Sequence, residues 1–337
     1  MDTNIVSQLY KKDYKMKLGI FLLTENFHQN CKGAIEDDIK IAQYAENLEF
    51  DEVWFAEHHF NAFSVIPNTT LMMTYLAAKT EKIRIGSAAF LAPFYHPVRL
   101  AEEIATLDNL SSGRINIGFA KGGFALDIKS FNKSATTLRE EMFSTVDTVN
   151  NTLYENLLLQ PKPLQKKIPC FIATFSTLET VEYAAKNGYG IMFSQGATID
   201  ECVEVQEQYK KISGFYPETV LMRVFCVQKT KQEALNLAIP ATEHFVKSMK
   251  AIQRDEKQPI FNKENYDELL NQRGEFFDGD KFIKAGIIGA VDDCVETIQI
   301  IKRRIKNLHL VLKIASTTLD VSKEMLQEFN QKIKPKL

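Results

Sequence analysis

Short apolar runs alternate with longer segments of helical periodicity along most of the chain. Each run has the length of one strand and is apolar on both faces, as is typical of parallel strands covered by helices. The eight runs are 17–23, 51–56, 83–90, 114–120, 170–174, 190–194, 220–227 and 308–314. This alternation predicts a closed (β/α)8 barrel. An open doubly wound sheet is the alternative, because periodicity does not show closure.

The segments between the runs carry the signals of helices. The predicted helices are 35–47, 69–80, 97–110, 138–154, 179–187, 199–212 and 291–307. Asn68 is a suitable N-cap for the second, and Pro97 lies in the first turn of the third. Gly188 directly follows the fifth, where a left-handed residue often ends a helix.

Composition limits what kind of protein this chain is. Of 337 residues, 25% are charged and 45% are hydrophobic, and the net charge is −2. These values are typical of globular proteins, and no basic block suggests a nucleic-acid partner. Five scattered cysteines and the absence of a signal-length or membrane-length apolar run favour the cytoplasm. We expect one domain over residues 16–337, preceded by a flexible tail at 1–15.

The connection after the seventh predicted strand is unusually long. Residues 254–283 are polar, with five interleaved aromatic side chains. Long loops in compact domains are usually functional or disordered. On a barrel this segment would lie at the carboxyl ends of the strands, so we expect an active-site lid. A surface insertion without function is the alternative.

Two histidines follow the second predicted strand. Because successive side chains of an extended segment point in opposite directions, only one of His58 and His59 would face a pocket. Barrel enzymes place their chemistry at the carboxyl ends of strands, and one histidine there suits proton transfer near neutral pH. A hydrogen-bonded structural histidine is an equally good interpretation. No metal site is expected, because no third ligand lies nearby.

A helix start follows the fifth predicted strand. Ser176 and Glu179 have the spacing of a capping box. Free N–H groups at such a helix start suit a phosphate. Thr177 and Thr180 would add hydroxyl donors, and Lys121, at the end of the fourth strand, would add positive charge. Simple helix capping is the alternative. No glycine-rich dinucleotide motif or Walker loop is present.

Taken together, several segments resemble one family, the bacterial-luciferase-like flavin monooxygenases. They occur in matching order from about residue 16 to the C-terminus. The most specific are EHHF at 57–60, GSAA at 86–89, HPVR at 96–99 and LDNLSSGR at 107–114. The resemblance implies a TIM barrel, commonly dimeric, so a homodimer is expected. It also implies reduced FMN supplied by a separate flavin reductase. With O2 the reduced flavin would give a C4a-peroxyflavin that oxygenates the substrate, as luciferases do with long-chain aldehydes.

The resemblance also assigns roles to residues of this chain. His58 matches the catalytic histidine, and Ala88-Ala89 matches a non-proline cis peptide beneath the flavin ring. Lys121, Thr177 and Thr180 match phosphate-binding positions, and Ser194 matches a flavin-contacting one. Ser176 is added to the expected cofactor positions from the helix start described above. The 254–283 insertion matches the mobile loop that shields the intermediate.

The chain departs from the luciferase catalytic subunit in two places. Ala120 stands where that subunit has a reactive cysteine, and Lys121 stands where it has arginine. We therefore expect a monooxygenase without light emission. Phe60, Phe94 and Phe124 favour a small apolar substrate such as an aldehyde, although core packing also explains them. A non-catalytic flavin-binding subunit and an F420-dependent dehydrogenase on the same barrel remain the alternative functions.

Overall fold

The computed structural model describes residues 14–174, 177–253 and 278–337, without the side chains of 250–253. Its strands are β1 (Lys17–Leu22), β2 (Glu52–Phe55), β3 (Arg84–Ser87), β4 (Phe90–Leu91), β5 (Ile115–Ala120), β6 (Cys170–Ala173), β7 (Gly190–Phe193), β8 (Thr219–Val227), β9 (Ile287–Gly289) and β10 (Leu308–Ile314). Its helices are α1 (Cys31–Asn47), α2 (Thr69–Ala77), α3 (Pro97–Leu110), α4 (Ala125–Ser130), α5 (Leu138–Tyr154), α6 (Leu178–Asn187), α7 (Ile199–Ser213), α8 (Lys231–Gln253), α9 (Gly279–Ala285), α10 (Val291–Arg304) and α11 (Leu319–Glu328).

The parallel strands close into a barrel. β10 pairs with β1 on one side and with β8 on the other, so the sheet has no open edge at this point. Eight strands form the ring, in the order β1, β2, β3, β5, β6, β7, β8 and β10. The predicted (β/α)8 barrel is therefore confirmed, and the open sheet is wrong. The short strands β4 and β9 pair alongside β5 and β8.

Large rings fill the interior of the barrel. Trp54 lies so close to Gly86 that a Cβ there would come within 2.2 Å of the indole. The Trp54 ring meets Phe171 edge-on at 5.4 Å between centroids, and Phe171 meets His309 at the same distance. The middle of the barrel is thus a packed core rather than a channel, as is usual for this fold.

One buried carboxylate joins four strands below these rings. Glu52, on β2, is fully buried and accepts hydrogen bonds from Trp54 Nε1 at 3.0 Å and His309 Nδ1 at 2.9 Å. Asn116 Nδ2, on β5, donates at 3.1 Å, and Lys17 Nζ, on β1, lies 3.9 Å away. These contacts lower the pKa of Glu52 despite its burial, mainly through His309. The ion therefore stays charged inside the barrel.

Several segments differ from the expectations. Tyr14, assigned to the tail, is half-buried, and its hydroxyl lies 2.5 Å from His309 Nε2. The helix α8 was not predicted, nor were α4, α9, β9 and α11. Residues 254–277 of the expected lid lie outside the described residues. Its last part belongs instead to α9, where Phe282 is buried against Gly196. Among the described helices, none is both long and apolar enough to cross a bilayer.

We expect Glu52→Ala to lower the free energy of unfolding by about 3–5 kcal/mol, because it leaves buried donors without their acceptor. Urea denaturation followed by tryptophan fluorescence measures this change. The matched control is Glu102→Ala, which removes a half-exposed carboxylate paired with Arg99. That control should cost less than about 1 kcal/mol. Equal losses in both variants would contradict a special role for Glu52.

Candidate functional site

The carboxyl ends of the barrel strands form a partly open mouth above the packed rings. Side chains alternate along a strand, so a residue two positions beyond an inward-facing one also faces inward. Gly86 and Phe171 contact Trp54 in the interior. Ala88 and Ala173 lie two positions beyond them and therefore face the mouth. The half-buried residues at the ends of four successive ring strands are Ala88, Ala120, Ala173 and Ser194. Small side chains therefore leave room for a ligand at this level.

His58 lies at the same end of the barrel and has a defined tautomer. Its Nδ1 is 2.6 Å from Ser64 Oγ, and Ser64 Oγ is 2.5 Å from the carbonyl oxygen of Leu23. A carbonyl only accepts hydrogen bonds, so the single hydroxyl proton of Ser64 goes to Leu23. Nδ1 of His58 must therefore carry the proton that Ser64 accepts. In the neutral ring this leaves Nε2 as the proton acceptor.

The surroundings keep His58 neutral. Burial, with a smaller contribution from His59, lowers the pKa of His58 to about 4. The imidazole is therefore uncharged over the whole physiological range. Its ring lies 6.3 Å from that of the half-buried Phe124, on the loop after β5. A neutral ring with an unprotonated Nε2 can take a proton from a ligand held against it.

His59 has a structural environment instead. It is buried, and its Nε2 lies 3.1 Å from Glu57 Oε1. Glu57 also accepts a hydrogen bond from the hydroxyl of Tyr95 at 2.5 Å, and the His59 ring packs edge-on against Phe131 at 4.8 Å. Burial raises the pKa of Glu57. The structure thus separates the adjacent histidines, as the alternation argument predicted, and only His58 remains a candidate for catalysis.

The residues expected around a flavin ring lie at neighbouring strand ends. The peptide bond between Ala88 and Ala89 is cis, as the resemblance implies. Ser194 is half-buried directly after β7. Ala120 and Ala88 belong to strands that flank one another in the ring. Contact of these residues with a flavin stays a prediction.

The expected phosphate site is only partly described. Ser176 lies outside the described residues, and the N-cap of α6 is Thr177, which makes no side-chain capping hydrogen bond. The predicted capping box with Ser176 as N-cap is therefore wrong. Thr180 is buried on the first turn of α6, and Lys121 is half-buried after β5. Nearby at the end of β6, the buried hydroxyl of Thr174 has no hydrogen-bond partner among the described residues.

Sequence reasoning missed the residues that support the site. Ser64 orients His58, yet it lies in an irregular loop where no periodicity marks it. Tyr95 reaches Glu57 across 38 positions of sequence. Asp127, on α4, is buried with neither carboxylate oxygen hydrogen-bonded among the described residues, and burial raises its pKa to about 6. Only Asp127 had a visible signal, as an acidic residue close to a strand end.

Comparison with known proteins assigns the family. Residues 16–304 match the model of the luciferase-like monooxygenases. The match covers most of the chain, so this protein belongs to that family.

Among curated relatives, the alkanal monooxygenase alpha chain of the Kryptophanaron alfredi symbiont is 30% identical over 194 residues. That match covers 53% of this chain and 54% of the relative. The oxygenase component of the flavin-dependent trigonelline monooxygenase from Acinetobacter baylyi is 27% identical over 65% of this chain and 67% of its own length. This chain therefore matches about half to two thirds of these relatives.

Solved structures share the whole fold at low identity. The monooxygenase RslO1 from Streptomyces bottropensis superposes with a TM-score of 0.80 at 22% identity, covering 95% of this chain and 99% of that one. The oxygenating constituent of 3,6-diketocamphane monooxygenase from Pseudomonas putida, in complex with FMN, superposes with a TM-score of 0.74 at 17% identity. This match covers 96% of this chain and 98% of that one. An F420-dependent secondary alcohol dehydrogenase superposes with a TM-score of 0.71 at 18% identity, covering 96% of this chain and 99% of that one. These similarities support the barrel.

Nitrogen-15 NMR of the histidine rings tests the assigned tautomer. We expect His58 to be neutral with the proton on Nδ1 between pH 6 and pH 8, because its pKa is about 4. Ser64→Ala removes the acceptor for Nδ1–H and should give a mixture of tautomers. Ser322→Ala, at a buried serine that hydrogen-bonds within α11, is the control and should leave His58 unchanged. A protonated Nε2 in the unmodified protein would contradict the assignment.

Proposed function

We propose that this protein is an FMN-dependent monooxygenase in which His58 moves a proton at the reacting centre. The observation that carries the proposal is the neutral His58 ring, fixed by Ser64 with Nε2 as acceptor, beside a mouth of small residues. Family membership supports the reaction class. A non-catalytic flavin-binding subunit would not need a histidine held in one tautomer.

The residues at the mouth fit a flavin. A flat ring system requires small side chains beneath it, and the half-buried Ala88, Ala120 and Ala173 supply them. A phosphate requires donors. These are provided by the start of α6, whose N-cap Thr177 makes no side-chain capping hydrogen bond, and by the hydroxyl of Thr174, which has no partner among the described residues. Lys121 adds a positive charge suited to a phosphate. Reduced flavin, when bound, would supply the electrons that activate O2.

The chain's own groups then have separate tasks. Lys121, Thr177 and Thr180, with Ser176, hold the phosphate end, while Ser194 and the Ala88-Ala89 peptide contact the ring. His58 accepts a proton at Nε2 and returns it. Ser64 accepts the hydrogen bond from Nδ1–H of His58 and so keeps that proton in place throughout. Because the imidazole is neutral before the reaction, it acts first as a base. Residues 254–277, which lie outside the described residues, are proposed as the lid that excludes water.

FMN rather than F420 is the proposed cofactor, although an F420-dependent enzyme shares the fold. The name of the Acinetobacter baylyi relative, an oxygenase component, supports a separate flavin reductase as a transient partner. Leu71 and Tyr75 are exposed one turn apart on α2, and this apolar stripe fits the predicted homodimer. Titrating the protein with FMN and F420 separately would decide the cofactor, and tighter binding of F420 would favour the dehydrogenase.

Lys121→Met tests the phosphate site. The variant should bind FMN roughly ten- to a hundredfold more weakly, because a charged hydrogen bond contributes about 1.5–3 kcal/mol. Its affinity for riboflavin, which lacks the phosphate, should change less than about twofold. Fluorescence quenching of each flavin measures both affinities. Lys129→Met, an exposed lysine on α4, is the matched control. Equal losses for FMN and riboflavin would contradict phosphate binding by Lys121.

His58→Ala tests the catalytic role. Oxygen-18 incorporation into product, with FMN reduced by a separate reductase, should fall by ~10²–10⁴-fold, as is typical when a general base is removed. FMN affinity should survive, because His58 is not placed at the phosphate. His59→Ala is not a suitable control, since it removes one of the hydrogen-bond partners of the buried Glu57. His96→Ala, at an exposed helix cap, is suitable. Undiminished incorporation in His58→Ala would rule out the proposed role.

A further inference from the structure

A second polar cavity lies at the carboxyl ends of β1 and β10. It has a volume of about 140 Å³ and extends between the ends of these strands, α1 and the start of α11. Leu23 lines it, and the same residue provides the carbonyl that anchors Ser64 and hence His58. The cavity is therefore linked to the proposed catalytic histidine through Leu23 and Ser64.

A buried ion pair forms one wall of this cavity. Lys313 Nζ lies 2.9 Å from Glu25 Oε2, and their side chains are only 3% and 11% exposed. On β10, His309 and Val311 face the barrel interior, where they meet Glu52 and Gly19. Lys313 follows at the same spacing of two, so it faces the interior at the mouth. The charge of Lys313 is thus balanced by Glu25.

The opposite wall carries a carboxylate without a cation. Asp38, on α1, is only 8% exposed and accepts a hydrogen bond from the Thr24 hydroxyl at 2.7 Å on one oxygen. Among the described residues no lysine or arginine forms an ion pair with Asp38, while Glu25 and Asp37 both add negative potential. Burial raises the pKa of Asp38 to about 7. When burial raises the pKa of a carboxylate, a positively charged partner stabilises its ionised form.

A second acceptor at the cavity is also unused. Glu25 Oε1 is buried with no hydrogen-bond partner among the described residues, although Oε2 of the same group holds Lys313. An unpaired buried acceptor destabilises the protein unless a ligand or water satisfies it. The cavity thus offers an unused acceptor and the uncompensated charge of Asp38, because Lys313, the lysine that lines it, is already paired with Glu25.

We propose that this cavity binds the ammonium group of a small aliphatic amine through Asp38 and Glu25, and that the oxygenase thereby selects an amine as its substrate. The second half of this statement rests on the proposed monooxygenase function. The ammonium would supply the missing positive charge and donate to Asp38 and to Oε1 of Glu25. The aliphatic chain would extend along Leu23, whose carbonyl anchors Ser64 and hence His58. Only the aliphatic part of such an amine agrees with the small apolar substrate that the sequence predicts.

Binding of n-butylamine to the flavin-free full-length protein, measured by calorimetry, tests the site itself. We expect n-butylamine to bind and n-butanol, which has the same chain without charge, to bind at least tenfold more weakly. Asp38→Asn keeps an acceptor for Thr24 but removes the charge, and it should weaken amine binding tenfold or more. Glu36→Gln, an exposed carboxylate on the same helix, should change it less than about twofold.

The pH dependence provides a second readout. The amine stays protonated below pH ~10, whereas Asp38 ionises near pH 7. Affinity should therefore rise about tenfold from pH 6 to pH 8, and this rise should disappear in Asp38→Asn. The other titratable groups around the cavity are Glu25, Asp37, His28 and Lys313, with Lys40 paired to Asp37 and His244 near Glu25. A slope that persists in Asp38→Asn would belong to one of these groups and would overturn the assignment to Asp38.

Thr24→Val is a second variant, which keeps the proposal testable if Asp38→Asn does not fold. It is isosteric, and by removing the hydrogen bond that lowers the pKa of Asp38 it should move the binding midpoint to higher pH. Thermal melting of every variant confirms folding. Equal affinity for n-butylamine and n-butanol, or an unshifted midpoint in folded Thr24→Val, would overturn the site.

Oxygen-18 incorporation distinguishes failure of the amine site from failure of the proposed monooxygenase function. Reduced FMN would supply two electrons, so that one atom of labelled O2 enters the substrate and the other leaves as water. We expect labelled product from n-butylamine and at least tenfold less from n-butanol. Amine binding without labelled product from any compound would leave the site intact and contradict the monooxygenase function. Labelled product from n-butanol and not from n-butylamine would keep the function and overturn the amine selection.

Discussion

Closure of the parallel sheet is the constraint on which the rest of the structure depends. β10 pairs with β8 and β1, and below the mouth Glu52 ties β1, β2, β5 and β10 together through one buried charge. Closure brings the carboxyl ends of eight strands to one rim, where residues far apart in sequence become neighbours. Trp54 and Phe171 fill the level beneath, so a ligand can lie only above them.

The barrel was predictable because its strands and most helices carry strong local signals. Buried apolar runs located the eight ring strands, and the helices 97–110 and 138–154 have the predicted bounds. The helix α8 was not predicted, because Pro240 lies inside it and its buried face is rich in alanine, which gives a weak apolar signal. Closure itself could not be read from periodicity, since an open sheet has the same pattern.

The site was predictable only as far as position along a strand specifies it. The placement of chemistry at the carboxyl ends of barrel strands indicated His58, and the resemblance indicated the flavin positions. The tautomer of His58 depends on Ser64 and the Leu23 carbonyl, and that chain of contacts exists only in the folded protein. The ion pair of Glu25 and Lys313 joins residues almost a full chain apart, so no local pattern could reveal it. The contacts of Ser64 leave Nε2 of the strand-end His58 as the proton acceptor.

A crystal structure of the full-length protein with bound FMN tests the central claim most directly. The account predicts the ring system on Ala88 and Ala89 with His58 Nε2 facing its reactive edge. It also predicts the phosphate between Lys121 and the first turn of α6. A flavin bound elsewhere, or a phosphate that does not contact Lys121, Thr177 or Thr180, would contradict it.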